Sequence, residues 1–167
     1  LKVDPTAALS GNAIAVDGSA ITLTNRQGAA ASGLPGFVLG PTGLAQLSNS
    51  KQILLRSLGA INFDGDVNAT FGNSVVLSAG TFTGDGNVTL NAKQIAFTND
   101  MGAPEATAAA GNGTLTVNAA EIDFGAGTKN ASGFGSVTMN ATTGIAGQGT
   151  GIFDLGGAAV ALSAPVF

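Results

Sequence analysis

Hydrophobic and polar residues alternate along most of this chain, but only in short bursts. The plainest burst is Val88-Thr89-Leu90-Asn91-Ala92-Lys93-Gln94-Ile95-Ala96-Phe97. Val88 and Leu90 alternate with polar residues, as do Ile95 and Phe97, and a small polar bend from Asn91 to Gln94 separates the pairs. Period-two alternation over so few residues predicts two short strands, each with one buried face.

The burst recurs. Leu115-Thr116-Val117-Asn118-Ala119-Ala120-Glu121-Ile122-Asp123-Phe124 keeps both the seven-residue step to Ile and the closing Phe. Val137-Thr138-Met139-Asn140-Ala141 reaches Ile145 one residue late, because Gly144 is added, and Val160 to Phe167 is a shortened copy. Upstream, Val75 to Phe82, Ile53 to Phe63 and Ile14 to Leu23 read as further copies. Starts at 53 and 75, and at 115 and 137, lie 22 residues apart; those at 137 and 160 lie 23 apart. From 88 to 115 is 27, and the surplus falls in the Ala-rich stretch Met101 to Gly113. A unit of strands and turns this short cannot bury its apolar face alone, and stacking such units makes a continuous core. The expectation is an all-β fold: a right-handed parallel β-helix, or β-solenoid, of about six or seven coils. Starts at 75 and 88 are only 13 residues apart, which favours two faces of one coil.

Two stretches break the rhythm and read as loop excursions, 24–50 and 101–113. Within the first, Thr42 is placed to cap a short helical turn through Leu44-Ala45-Gln46-Leu47, with Leu44 and Leu47 inward. At most this one short helix is expected. Leu1 to Ala13 reads as a lead-in, Thr128 to Gly135 as a flexible corner, and Gly144 to Gly157 as a Gly-rich stretch with Ile152, Phe153 and Leu155 inward. Aligning copies predicts two ladders. Phe63, Phe82, Phe97, Phe124 and Phe167 would form an aromatic column, and Asn91, Asn118 and Asn140 would share a phase with Ser78 and Ser163. One domain, 1–167, is expected. The opening Leu1 and the short last copy suggest a piece of a longer solenoid, whose open ends would associate end to end.

Composition narrows the functions. Charged residues are only 10% of the chain and the net charge is −4, with six scattered Lys and Arg (Lys2, Arg26, Lys51, Arg56, Lys93, Lys129). No basic stripe exists, so nucleic acid is not an expected partner. No run of 18 apolar residues reads as a membrane-spanning helix. His and Cys are absent, which removes Ser and Cys triads and most zinc sites, and no cofactor is expected. What remains is carboxylate chemistry. Asp64, Asp66, Asp85 and Asp123 could converge for a polysaccharide hydrolase or lyase. Gly flanks three of them, which marks corner turns instead. The calcium-binding nonapeptide is not repeated. Trp and Tyr are absent, which counts against a glycan-binding module. Five Asn-x-Ser/Thr triplets start at Asn68, Asn87, Asn112, Asn130 and Asn140; they are glycosylation candidates, although an Asn- and Thr-rich chain produces such triplets by chance.

The phrases Leu90-Asn91-Ala92, Val117-Asn118-Ala119, Met139-Asn140-Ala141, Leu77-Ser78-Ala79-Gly80 and Leu162-Ser163-Ala164 carry a family resemblance. The block Ile53-Leu54-Leu55-Arg56-Ser57-Leu58-Gly59-Ala60-Ile61-Asn62-Phe63-Asp64-Gly65-Asp66-Val67 is its most specific part. From Ile14 to Phe167 the chain resembles the shaft of filamentous haemagglutinin-type proteins, the large exported partners of two-partner secretion systems. The resemblance implies a right-handed β-helix on a Gram-negative cell surface, exported through a dedicated outer-membrane transporter. It implies adhesion, biofilm or contact-dependent roles, with a host cell, matrix or neighbouring bacterium as partner. No secretion-domain motif and no toxin domain stands out, so the expected place is an interior or late shaft segment. On this reading the segment is structural or adhesive and not an enzyme, and the two excursions are its expected recognition surfaces.

Overall fold

Each alternating burst folds as a strand, and the strands stack in parallel as the chain winds. The computed structural model describes residues 10 to 167. The first coil holds β1 (Ala13–Gly18) and β2 (Ile21–Thr24), then an excursion with a 3-10 turn (Gly28–Ala31), β3 (Phe37–Leu39) and α1 (Pro41–Leu47). The second holds β4 (Gln52–Ser57), β5 (Ala60–Asp64) and β6 (Val67–Thr70), and the third β7 (Ser74–Ser78), β8 (Thr81–Gly84) and β9 (Asn87–Asn91). After these come β10 (Gln94–Thr98), β11 (Gly113–Phe124), β12 (Lys129–Ser132), β13 (Phe134–Gly147), β14 (Phe153–Asp154) and β15 (Ala159–Ser163).

These strands build three walls of a parallel β-solenoid of about five turns. Wall A stacks β1, β4, β7, β10 and the second halves of β11 and β13. Wall B stacks β3, β2, β5, β8, β12 and β14. Wall C stacks β6, β9, the first halves of β11 and β13, and β15. This is roughly consistent with the six or seven coils expected; Ile14 to Ile53 is one coil widened by the excursion, and β7 and β9 are two walls of one coil, as their spacing suggested.

The register redraws the repeat. Ile14, Ile53, Val75, Ile95, Ile122 and Ile145 form one row on wall A. Val67, Val88, Leu115, Val137 and Val160 form a row on wall C. The ten-residue phrase is therefore two walls and the corner between them, and β11 runs on through that corner, where its register against β13 shifts between Ala119 and Glu121. The copies beginning at 14, 53 and 75 stack on Ile95, not on Val88. Val75, Leu77, Ile95, Phe97, Val88 and Leu90 are all buried, and this alternation generates the core.

Wall B lacks a strand in the fourth coil. There β12 drops directly onto β8, with Asn130 opposite Thr81 and Ala131 opposite Phe82. Wall B thus gains less height than wall A, and Phe153 of β14 comes level with Phe97 and Phe124. The expected aromatic column is therefore a four-ring cluster. Phe82 meets Phe97 edge-on with ring centres 5.4 Å apart, and Phe153 lies 5.4 to 5.8 Å from Phe82, Phe97 and Phe124. Phe63 is buried elsewhere, opposite Gly84, and Phe167 is 73% exposed, so neither joins. Of the other inward candidates, Leu155 packs on the core and Ile152 is exposed.

The helix forms where expected, but Thr42 does not cap it. Gly40 is the N-cap and Pro41 opens the first turn, where its missing N–H costs nothing. Leu44 and Leu47 are buried. In later coils a wall C strand precedes each wall A strand; in the first coil α1 takes that place, packed beside β6. The corner expected over 128–135 contains the regular strand β12, and Ala13, expected in the lead-in, already belongs to β1. The rest of the lead-in, residues 1 to 9, lies outside the described residues. Among the described residues no helix is long and apolar enough to cross a membrane.

Candidate functional surface

Outward-facing side chains follow the same register as the core, so polar groups recur at coil spacing, about 4.8 Å. The Asn phase forms a hydrogen-bonded ladder. Asn140 Nδ2 donates to Asn118 Oδ1 at 3.0 Å, Asn118 Nδ2 to Asn91 Oδ1 at 3.0 Å, and Asn91 Nδ2 to Asn68 Oδ1 at 3.2 Å. Asn68 extends the ladder although Thr70 holds the matching register position, because its side chain reaches Asn91 diagonally. Ser163 sits opposite Asn140 as expected. Ser78 does not belong to this row; it lies on wall A between Arg56 and Thr98 and bonds Asp100. A second run crosses wall B, where Thr83 donates to Asn62 Oδ1 at 2.7 Å and Asn62 reaches Thr22 at 3.4 Å.

The carboxylates are distributed, not convergent. Asp64 ends β5 and is held by Arg26 at 2.8 Å and by the Thr24 hydroxyl at 2.7 Å. Asp66 accepts both the backbone N–H of Asn87 at 2.7 Å and its side-chain amide at 3.1 Å. Asp85 accepts the Gly65 N–H at 3.2 Å, and Gly65 has the positive φ that this corner requires. These three share a corner between walls B and C, and each is engaged by the neighbouring coil. Asp123 lies apart on wall A, buried, accepting from Gln94 at 3.0 Å and from Gln148 at 3.1 Å. Among the described residues no group of three or more acidic side chains could hold a metal ion.

The 101–113 excursion is a strap lying across the outside of wall B. Ala106 N–H donates to the Thr81 hydroxyl at 2.8 Å, Ala109 N–H to the Ser132 hydroxyl at 3.2 Å, and the Asn130 amide bonds Ala106 O. Asn99 anchors its start. Buried at 4% exposure, Asn99 donates to Ala103 O at 2.9 Å and Thr128 O at 2.7 Å and accepts from Ala103 N–H at 2.7 Å. Lys129, 1% exposed, directs its ammonium to Gly125 O at 2.8 Å and Gly127 O at 2.6 Å. Burial pushes the Lys129 ammonium below its ordinary value, with Glu105 working in the opposite sense. Neither Asn99 nor Lys129 stood out in the sequence, because neither sits in an alternating burst.

The glycosylation candidates separate by exposure. Asn68, Asn87, Asn112 and Asn140 are exposed, whereas Asn130 is buried under the strap with its amide already bonded. In the folded chain Asn130 therefore offers no acceptor nitrogen. The 24–50 excursion leaves a groove of about 330 Å³ between α1 and β6, lined by Leu44 and Ala45 on one side and Val67, Asn68 and Thr70 on the other. Neither family models, curated proteins nor solved structures gave a match to this chain.

Proposed function

We propose that this chain is a shaft segment of a secreted, surface-exposed adhesin of the filamentous haemagglutinin kind, whose work is length, rigidity and presentation. One observation carries the reading. The carboxylates and amides available for a reactive site are engaged in bonds between neighbouring coils, so the outer chemistry serves the stacking. Asp64, Asp66 and Asp85 hold corners, and Asn68, Asn91, Asn118 and Asn140 tie four coils of wall C together. On this proposal the parent protein leaves a Gram-negative cell through a two-partner secretion transporter, and its partners are host cells, matrix or neighbouring bacteria.

The test is binding of the purified chain to host cells, matrix proteins and glycans, with polysaccharide degradation read on the same panel. Saturable binding without turnover is the expected result for an adhesive segment. Turnover that disappears in Asp64→Asn, Asp66→Asn or Asp85→Asn would replace this reading with a polysaccharide hydrolase or lyase.

A further inference from the structure

The outer face of wall C is a grid of uncharged hydrogen-bonding groups. Val88 and Leu90 are buried, as are Leu115, Val117, Val137 and Met139, so the residues between and beyond them point outward. Register sets these outward residues in rows. Asn68, Thr89, Thr116 and Thr138 form one row, which ends at Ala161. Thr70, Asn91, Asn118 and Asn140 form the next, which ends at Ser163. A Thr-x-Asn triplet therefore repeats in three successive coils, as Thr89–Asn91, Thr116–Asn118 and Thr138–Asn140. The two rows differ in how they are bonded. The Asn row is tied amide to amide along the stack, at 3.0 to 3.2 Å. The hydroxyls of Thr89, Thr116 and Thr138 make no hydrogen bond to any described residue, and the three side chains are only half-buried.

We propose that this face binds ice, with the Thr89–Thr116–Thr138 row and the Asn row beside it as the contact. Outward neighbours repeat at about 6.6 Å along a strand and about 4.8 Å between coils. Water oxygens in ice repeat on a comparable scale in two directions, so each unbonded hydroxyl meets the lattice in the same way as the one before it. The bonded Asn row fixes the spacing in advance, and β-branched Thr has little rotamer freedom to lose, so contact costs little ordering. Charge selects the same occupant. Among the described residues the wall C segments of β6, β9, β11, β13 and β15 carry no charged side chain, and a charge would hold its own hydration against the lattice. Other occupants fit less well. The grid covers roughly 300 Å² of flat wall by strand dimensions, against the ~800 Å² that each partner of a standard protein interface buries, so a second copy is not held there. It has no aromatic or Arg anchor for a protein, and with Trp and Tyr absent it offers a sugar ring no such face. The inference does not rest on the shaft reading.

The experiment grows ice slowly from a dilute solution of the chain and compares the protein recovered in the ice with that left in the liquid. Serum albumin is the excluded control. The expected result is enrichment of the chain in the ice, with faceting of single crystals held at constant undercooling. Thr116→Tyr raises a ring from the middle of the grid and should lower recovery by about tenfold, the worth of one lost hydrogen bond. Thr138→Tyr, one coil on, should do the same; Tyr is a favoured strand residue, and circular dichroism of both variants checks that the fold is kept. Ala15→Tyr, exposed on wall A, should match the native chain. Recovery no higher than that of albumin would overturn the proposal. Equal recovery of the native chain and both Thr variants, or a loss at Ala15→Tyr as large as theirs, would do so too. So would binding to crystalline chitin with none to ice.

Discussion

Replacing Phe97 by Ala tests the architecture where it is most specific. The Phe97 ring is fully buried and touches two other rings, Phe82 edge-on and Phe153 tilted, each with centres 5.4 Å away. Removing a buried phenyl forfeits about 1.5–3 kcal/mol of transfer free energy. The two ring contacts add roughly 0.5–1.5 kcal/mol each. Collapse into the space is restricted, because the Phe97 backbone is held on both sides, by Leu77 in β7 and by Phe124 in β11. The expected loss is about 3–5 kcal/mol. The assay is urea unfolding followed by circular dichroism. The comparison is made between midpoints as well as extrapolated free energies, because stacked coils need not unfold in two states. Phe167→Ala is the control: at 73% exposure it should change stability by less than about 0.5 kcal/mol. A loss below about 1 kcal/mol at Phe97, or equal losses at both positions, would refute the four-ring cluster and the missing wall B strand that creates it.

Three further outcomes are expected. Asn118→Ala removes one donated and one accepted bond from the middle of the ladder and should cost about 1–2 kcal/mol by the same unfolding assay. Asn99→Ala strips three bonds from a buried anchor; limited proteolysis followed by mass spectrometry should show new cleavage within 101–112 while the core strands stay intact. Lys129→Met reports on the buried ammonium. Its folded value lies below the ordinary 10.5, so between the two the unfolded chain binds more protons. Stability must then rise with pH through that window, and the native chain should gain on the Met variant as pH approaches 10.5; parallel profiles would contradict this placement of Lys129.

The alternation of Val88, Leu90, Ile95 and Phe97, and its recurrence at 115 and 137, was enough for strands, parallel stacking and the Asn91–Asn118–Asn140 ladder. Period and spacing are local properties, and a solenoid brings each copy onto the next, so a one-dimensional pattern carries over into three dimensions. What the spacing could not assign was which wall each burst occupies. Ile53 and Val88 look alike as apolar starts, yet Ile53 stacks on Val75 of wall A and Val88 on Val67 of wall C. Only hydrogen-bond register separates them, because both walls bury alternate residues equally well. The same limit hid the strap. Nothing in the Ala-rich 101–112 stretch indicates that it vacates wall B, so that β12 meets β8 and Phe153 replaces Phe63 and Phe167 in the aromatic cluster. The buried Lys129, the anchoring Asn99 and the groove beside β6 arise from contacts between residues that no periodicity relates. The repeat by itself therefore determined that this chain stacks into a parallel solenoid. The tertiary structure decided where the stack is interrupted, because an interruption depends on which strands find partners rather than on the pattern within any one of them.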